Sequence, residues 1–239
     1  MSLDIIKSVF ENLSAGTNWS LQLLNIKTSK RTGTGYSSRQ ITIAPNERLA
    51  TLINDIAAVY IGNGKKAIAT YRSVRDYDGT ADALTVYKLP STHELISAEY
   101  ANFVQVIADP NNEDDPFEYT SAYLLKGQLT IDGENTAIKL ISMQNPVTTL
   151  KHKFLRKEGT FKELSDKVLS LRPTMDIIVV GDTVYFLTLA GENLFNMARS
   201  YKAVCHQKIE EVEQADIISG IETFKAVAET GHNPRRFFA

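Results

Sequence analysis

The stretch Met175-Asp-Ile-Ile-Val-Val-Gly-Asp-Thr-Val-Tyr-Phe-Leu-Thr-Leu189 decides the fold class, because two apolar β-branched runs meet there at Gly181-Asp182. β-Branched and aromatic side chains fit a pleated, buried surface, and a Gly-Asp pair accepts the positive φ of a two-residue turn. The stretch therefore predicts a buried β-hairpin, called the central hairpin below, around which most of the core gathers. A helical pattern follows it from Glu192.

Hydrophobic periodicity predicts three helices and two pairs of strands in the first part of the chain. The helices span residues 3–13, 46–60 and about 91–107, and the strand pairs are 19–26 with 39–43 and 67–74 with 83–89. The third helix is predicted to begin at a capping box, Ser91-Thr-His-Glu94. Gly33-Thr-Gly35 lacks the third glycine of a phosphate-cradling motif and lies between strands, so we expect a mobile loop there.

An acidic, proline-bounded segment at Asp109–Pro116 is the best candidate for a boundary. It divides the chain into a first half at 1–108, a linker loop at 109–118 and a second half at 119–239. In the second half Asp132-Gly133 predicts a hairpin that begins a second sheet, and helices are expected at about 192–213 and 217–229. The predicted fold class is α+β, with mixed, mainly antiparallel sheets, flanking helices and two closely packed halves.

Composition excludes several classes of protein. The 239 residues carry a formal charge of −2, which does not suggest a uniformly basic nucleic-acid binder, although a local basic face is enough for binding. The single cysteine, Cys205, excludes an internal disulfide and a four-cysteine zinc site. No stretch approaches the roughly 20 apolar residues of a membrane span, so we expect no direct membrane insertion and a cytoplasmic location.

Motifs for catalysis or metal binding are missing from the sequence. The four histidines are scattered, and none has the spacing that places two ligands on one helical face. The acidic segment lacks the glycine and the glutamate that an EF-hand loop requires. No Asp or Glu is followed two positions later by Lys, which disfavours restriction-type nucleases. Cys205 is expected to be a packed helical thiol. We therefore predict no catalytic residue, no metal ligand and no cofactor.

Two clusters of basic residues are the candidates for binding a polyanion. The first lies between Leu150 and Phe161, and the second lies beside Gly33-Thr-Gly35. Their cations are Lys151, Lys153, Arg156 and Lys157 in the first cluster and Lys27, Lys30 and Arg31 in the second. Such clusters bind phosphates electrostatically. The alternatives are an exposed edge strand charged against aggregation for the first cluster and a solvated hairpin tip for the second.

The order of elements resembles the KwaB-like family of the Kiwa anti-phage defence system of bacteria. The resemblance rests on the strand and basic, Gly-containing loop at 19–36, the helix at 46–60, the strand pair and basic segment at 137–153, and Asp176-Ile-Ile-Val-Val-Gly-Asp-Thr-Val-Tyr-Phe-Leu187. Family members continue beyond the last predicted helix with a segment that Arg235-Arg236-Phe237 resembles, so a truncated C-terminus is expected.

The resemblance implies a DNA-binding, dimeric effector without enzymatic activity. Its DNA would be phage DNA bound without sequence specificity, and its partner a membrane-embedded protein that recruits it to the inner face of the membrane. The residues assigned to DNA binding come from the charge clusters and not from a family motif. Two other functions stay open at this point: a protein–protein interaction scaffold that binds no nucleic acid, and an unrecognised hydrolase or nuclease.

Overall fold

The structure is a computed structural model that describes residues 4–29, 33–44, 47–61, 68–74, 76–77, 84–110, 120–149, 153–157, 160–164, 167–215, 219–230 and 234. The helices in these ranges are α1 (Asp4–Asn12), α2 (Glu47–Tyr60), α3 (Ser97–Ala108), α4 (Met197–Gln214) and α5 (Ile221–Ala228). The strands are β1 (Thr17–Ser29), β2 (Gly33–Ile41), β3 (Ile68–Tyr71), β4 (Leu84–Pro90), β5 (Ala122–Ile131), β6 (Glu134–Ser142), β7 (Val147–Thr149), β8 (Lys153–Lys157), β9 (Thr160–Leu164), β10 (Lys167–Leu169), β11 (Ile177–Val180) and β12 (Thr183–Phe186). Short 3-10 helices cover Leu13–Ala15 and Leu189–Phe195.

Eight strands form one sheet in the order β2-β1-β5-β6-β11-β12-β4-β3. Neighbouring strands are antiparallel except for β3 and β4, which run parallel. The remaining described strands form two small sheets, β10 with β7 and β8 with β9. The predicted α+β fold with mainly antiparallel sheets is confirmed.

The central hairpin is formed by β11 and β12 and lies inside the sheet. Ile177, Val179, Val184 and Phe186 are completely buried. Gly181 at the turn has φ +55°, which is the left-handed conformation that the sequence pattern requires. Because apolar side chains leave both faces of these short strands, helices have to cover the sheet on both sides.

Two hydrophobic clusters occupy the two faces of the sheet. On one face α1 and α2 contribute Phe10 and Ile56 to the first cluster, where Phe10 stacks on Tyr60 with ring centroids 4.2 Å apart. On the other face α3 and the 3-10 helix at Leu189–Phe195 contribute Phe103 and Phe195 to the second cluster. The fold is therefore a three-layer arrangement with helices outside and the sheet in the middle.

The prediction that β5 begins a second sheet is wrong, because β5 pairs with β1 through Leu23 and Tyr123 among other partners. Ala122 to Leu125 are all buried, so β5 needs cover on both faces and takes a central position. Strands before and after the acidic segment thus share one sheet. The division into 1–108, 109–118 and 119–239 stays a prediction.

Two local predictions also differ from the structure. Gly33-Thr-Gly35 is part of β2 and pairs with residues 27–29 of β1, so it is not a loop. The third helix begins at Ser97 rather than at the predicted capping box, because residues 91–96 form turns. In these turns His93 Nδ1 accepts from the Leu95 N–H and the His93 carbonyl accepts from the Ser97 N–H.

Candidate nucleic-acid interface

Three of the four cations in the first predicted basic cluster lie in β8, which pairs with β9 in a two-stranded sheet apart from the large one. We call β8 and β9 together the basic hairpin. Its register places Leu164 opposite Lys153, Phe161 opposite Arg156 and Thr160 opposite Lys157. Lys151 lies outside the described residues. The cross-strand neighbours of the three cations are therefore uncharged residues.

Of the second predicted cluster, Lys27 belongs to the large sheet. Lys27 lies near the end of β1, opposite Gly35 of β2, and its side chain is exposed. Lys30 and Arg31 lie outside the described residues. Lys27 and the basic hairpin therefore belong to different sheets.

A third basic feature was missed from the sequence: Lys126 of β5 and Lys139 of β6 are direct cross-strand partners. We call them the lysine pair. Each lies six residues from the Asp132-Gly133 turn, whose φ angles of +52° and +85° suit a two-residue hairpin. The turn alone therefore fixes the register that places the two lysines opposite each other, and this signal was present in the sequence.

The C-terminal end of α3 lies against the lysine pair. Lys126 Nζ donates to the Ile107 carbonyl at 2.8 Å, and Gln22 Nε2 donates to the same oxygen at 3.1 Å. Ser38 Oγ donates to the neighbouring Val106 carbonyl at 2.8 Å. Helix C-termini have carbonyls without partners inside the helix, so these side chains of the sheet satisfy them and fix the helix end.

Burial alters the ionisation of both lysines. Desolvation lowers the pKa of Lys126 below that of an exposed lysine. Desolvation also lowers the pKa of Lys139, the charge of nearby Lys126 lowers it further, and Asp182 acts in the opposite direction. The lowered pKa values mean that each ammonium group is less stable here than in water. An added negative charge between them would relieve this cost.

Other reactive side chains have structural roles. Cys205 is buried, its Sγ lies 3.7 Å from the Ala228 carbonyl, and burial raises the pKa of the thiol, which is the opposite of what a nucleophile needs. The expected packed thiol is observed. His206 Nδ1 lies 3.1 Å from a Glu229 carboxylate oxygen on the surface. Among the described residues, no three His, Cys, Asp or Glu side chains lie close enough together to hold a metal ion.

Comparison with known proteins finds one similarity, in the second part of the chain. Residues 129–239 match the family model described as Kiwa protein KwaB-like. Over these residues the chain is similar to the KwaB-like family. The resemblance predicted from the sequence is thereby confirmed, and it suggests a role in Kiwa anti-phage defence. No curated protein and no solved structure matches the chain.

The matched region, residues 129–239, includes the basic hairpin, the central hairpin and Lys139, whereas Lys27 and Lys126 precede it. Its first residue, Leu129, lies inside β5, so the matched region begins within a strand of the large sheet. Within the described ranges, no helix is both long enough and apolar enough to cross a membrane.

Proposed function

We propose that this chain is a DNA-binding effector of the Kiwa anti-phage defence system, without catalytic activity of its own. The observation that carries the proposal is the KwaB-like match over residues 129–239, which includes the basic hairpin. Defence is the part suggested by the family. DNA as the target is our inference from the charge of the hairpin.

Charge composition supports DNA as the ligand of the basic hairpin. The two strands, Lys-Phe-Leu-Arg-Lys and Thr-Phe-Lys-Glu-Leu, contain four cations and one carboxylate, whereas the whole chain has a formal charge of −2. Each DNA phosphate neutralised by a cation releases counterions, which favours binding at low salt. We assign Lys151, Lys153, Arg156 and Lys157 to the main contact and Lys27, Lys30 and Arg31 to a secondary contact.

Contacts to phosphates carry no sequence information, so the proposed binding is indifferent to base sequence. A two-stranded ribbon is also narrow enough to enter a major groove. Phage DNA would then be captured wherever the hairpin meets a free stretch of duplex.

The proposed partners follow from the family resemblance. We propose a homodimer located in the cytoplasm and recruited to the inner face of the membrane by a membrane-embedded protein of the same system. The test begins with a search of the neighbouring genes for a small multi-span membrane protein, and its absence counts against this part. A protein found there is then co-expressed with this chain. Co-purification in detergent supports recruitment, and purification of the two proteins apart counts against it.

A salt series of gel shifts tests DNA binding. The variant Lys153→Glu with Lys157→Glu reverses two charges of the basic hairpin, and Lys202→Glu, at an exposed position of α4, is the matched control. The affinity of the unaltered chain should fall steeply with salt, at about 0.9 in log K per contact and per decade of salt. The hairpin variant should bind much more weakly, with a slope smaller by about two contacts, while the control should match the unaltered chain.

The same series can reject the proposal. Equal affinity and equal slope for the hairpin variant would show that these cations do not contact DNA. An absence of binding at low salt would favour an interaction scaffold. Loss of intact plasmid in the presence of magnesium or manganese would favour a nuclease.

A further inference from the structure

The lysine pair is electrostatically unfavourable as it stands. Like charges directly opposite each other on neighbouring strands destabilise a sheet, and both side chains are partly buried. Among the described residues, no carboxylate oxygen lies within 4 Å of the Lys126 or the Lys139 nitrogen. Asp182 interacts with Lys139 only at longer range.

Strand alternation shows which face carries the pair. Leu124 lies two residues from Lys126, and Ile141 lies two residues from Lys139. Both belong to the second hydrophobic cluster, which α3 covers. Residues two apart on a strand share a face, so the lysines leave the sheet on the α3 side. Gln128 and Ala137, the next residues on that face, are exposed. The pair therefore stands where the helical cover ends and the sheet becomes open to solvent.

Both ammonium groups keep donors for a ligand. A lysine has three N–H donors, and Lys126 uses one of them on the Ile107 carbonyl. That hydrogen bond and the end of α3 also hold the Lys126 side chain in place. The position of the Lys126 nitrogen, which carries two further donors, is thus fixed before any ligand binds, and this reduces the entropy lost on binding.

We infer that Lys126 and Lys139 form a binding site for a phosphate group on the open part of this face. A phosphate supplies several acceptor oxygens and a charge of −1 to about −2, which compensates the two ammonium groups. The phosphate is that of a free phosphate or nucleotide, or one of a nucleic-acid backbone. This site is distinct from the basic hairpin and does not depend on the function proposed above.

Thermal unfolding of the full chain in inorganic phosphate tests the site. Samples in phosphate and in chloride at equal ionic strength are compared for the unaltered chain, Lys139→Met, Lys139→Arg and the surface control Lys202→Met. Phosphate at ten times its Kd should raise the Tm of the unaltered chain and of the control by about 3–6 °C. Lys139→Arg should keep most of this shift because it keeps the charge, and Lys139→Met should lose it.

Folding of the variants can be judged in chloride. Lys139→Met removes one member of a repulsive pair and should have a Tm at or above that of the unaltered chain. If it unfolds early, Lys126→Met serves as the second neutral variant. An equal phosphate shift in Lys139→Met or Lys126→Met and in the unaltered chain overturns the proposal.

A second arm uses a short DNA duplex in phosphate-free buffer. If DNA raises the Tm where inorganic phosphate does not, and Lys139→Met abolishes the DNA effect, the site binds backbone phosphates. If neither ligand raises the Tm, the proposal is overturned. A chain with Lys153→Glu and Lys157→Glu separates the two hypotheses, because loss of its gel shift tests the basic hairpin, whereas its phosphate shift depends on the lysine pair.

Discussion

Replacing Gly127 of β5 by alanine should destabilise the fold through a steric conflict with Trp19. A Cβ at residue 127 would lie 2.5 Å from Cε3 and 2.6 Å from Cδ2 of the Trp19 indole. The indole cannot withdraw easily, because it also lies against Gly16, where an added Cβ would be 2.8 Å from Cζ2. The ring is thus enclosed between two glycines.

The expected cost follows from this geometry. Inserting a methyl group into a well-packed site costs about 1–3 kcal/mol, and a rigid ring held on both sides places Gly127→Ala in the upper part of this range. For a chain of this size that corresponds to a decrease in Tm of about 4–12 °C. Trp19 is the only tryptophan, so its fluorescence in a urea titration reports on this site directly, with far-ultraviolet circular dichroism as the global measure.

Gly35→Ala is the matched control, because Gly35 also lies in a strand but an added Cβ would meet only the Lys27 carbonyl at 3.8 Å. This control should be as stable as the unaltered chain or slightly more stable, since alanine restricts the unfolded state. In a Trp19→Leu background, followed by circular dichroism, Gly127→Ala should lose most of its effect. Equal stability of Gly127→Ala and the unaltered chain, or an unchanged cost without the indole, would refute the reasoning.

Three further measurements test other parts of the structure. Tyr60→Phe should lower the free energy of unfolding by about 1–3 kcal/mol, because the Tyr60 hydroxyl accepts from the Met175 N–H at 2.8 Å and donates to its carbonyl at 3.1 Å; an unchanged urea midpoint would contradict this role. Folding lowers the pKa of Lys126 and of Lys139, so at a pH just below the usual lysine pKa the unfolded chain binds more protons than the folded chain. The free energy of unfolding should therefore rise with pH in this range. Urea midpoints at about pH 7 and about pH 10 should show a smaller rise in Lys139→Met, and an identical pH dependence would argue against the burial of the pair. Cys205 should react with a thiol reagent only after unfolding, and rapid reaction in native buffer would disprove its burial.

Local patterns predicted the central hairpin and the β5–β6 hairpin correctly. In both hairpins the two strands are joined directly by a short turn, at Gly181 in one and at Asp132-Gly133 in the other. The positive φ angles of these turn residues fix which strands pair and in which register. The sheet order could not be read in this way. β1 pairs with β5 and β12 with β4 across long stretches of sequence, and nothing local distinguishes those partners from others.

The start of α3 shows how a correct local signal can be overruled. Ser91 and Glu94 have capping-box spacing, but the His93 side chain and carbonyl accept hydrogen bonds from Leu95 and Ser97 and hold the segment in turns. Leu95 and Ile96 are buried in this conformation. The burial of Leu95 and Ile96 therefore outweighed the preference of Ser91 and Glu94 for starting a helix, which is worth about 1 kcal/mol.

The lysine pair was predictable in part. The Asp132-Gly133 turn gives the register of Lys126 and Lys139, but whether two opposed lysines are exposed or partly buried depends on how far α3 extends over the sheet. That extent is set by the contacts of Gln22 and Ser38 with the last carbonyls of α3. These contacts join residues more than 60 positions apart, and no sequence pattern indicates them.

The β4–β12 pairing has a consequence for the order in which the chain acquires its structure. Tyr87 of β4 has Phe186 of β12 as its partner, so β4 is synthesised about a hundred residues before the strand that completes it. Until β12 has left the ribosome, the edge of β4 that pairs with β12 has no partner strand. Non-local pairing of this kind slows folding and prolongs the exposure of unpaired strand edges, which are prone to aggregation. We expect the nascent chain to depend on chaperones until β12 has been inserted between β11 and β4.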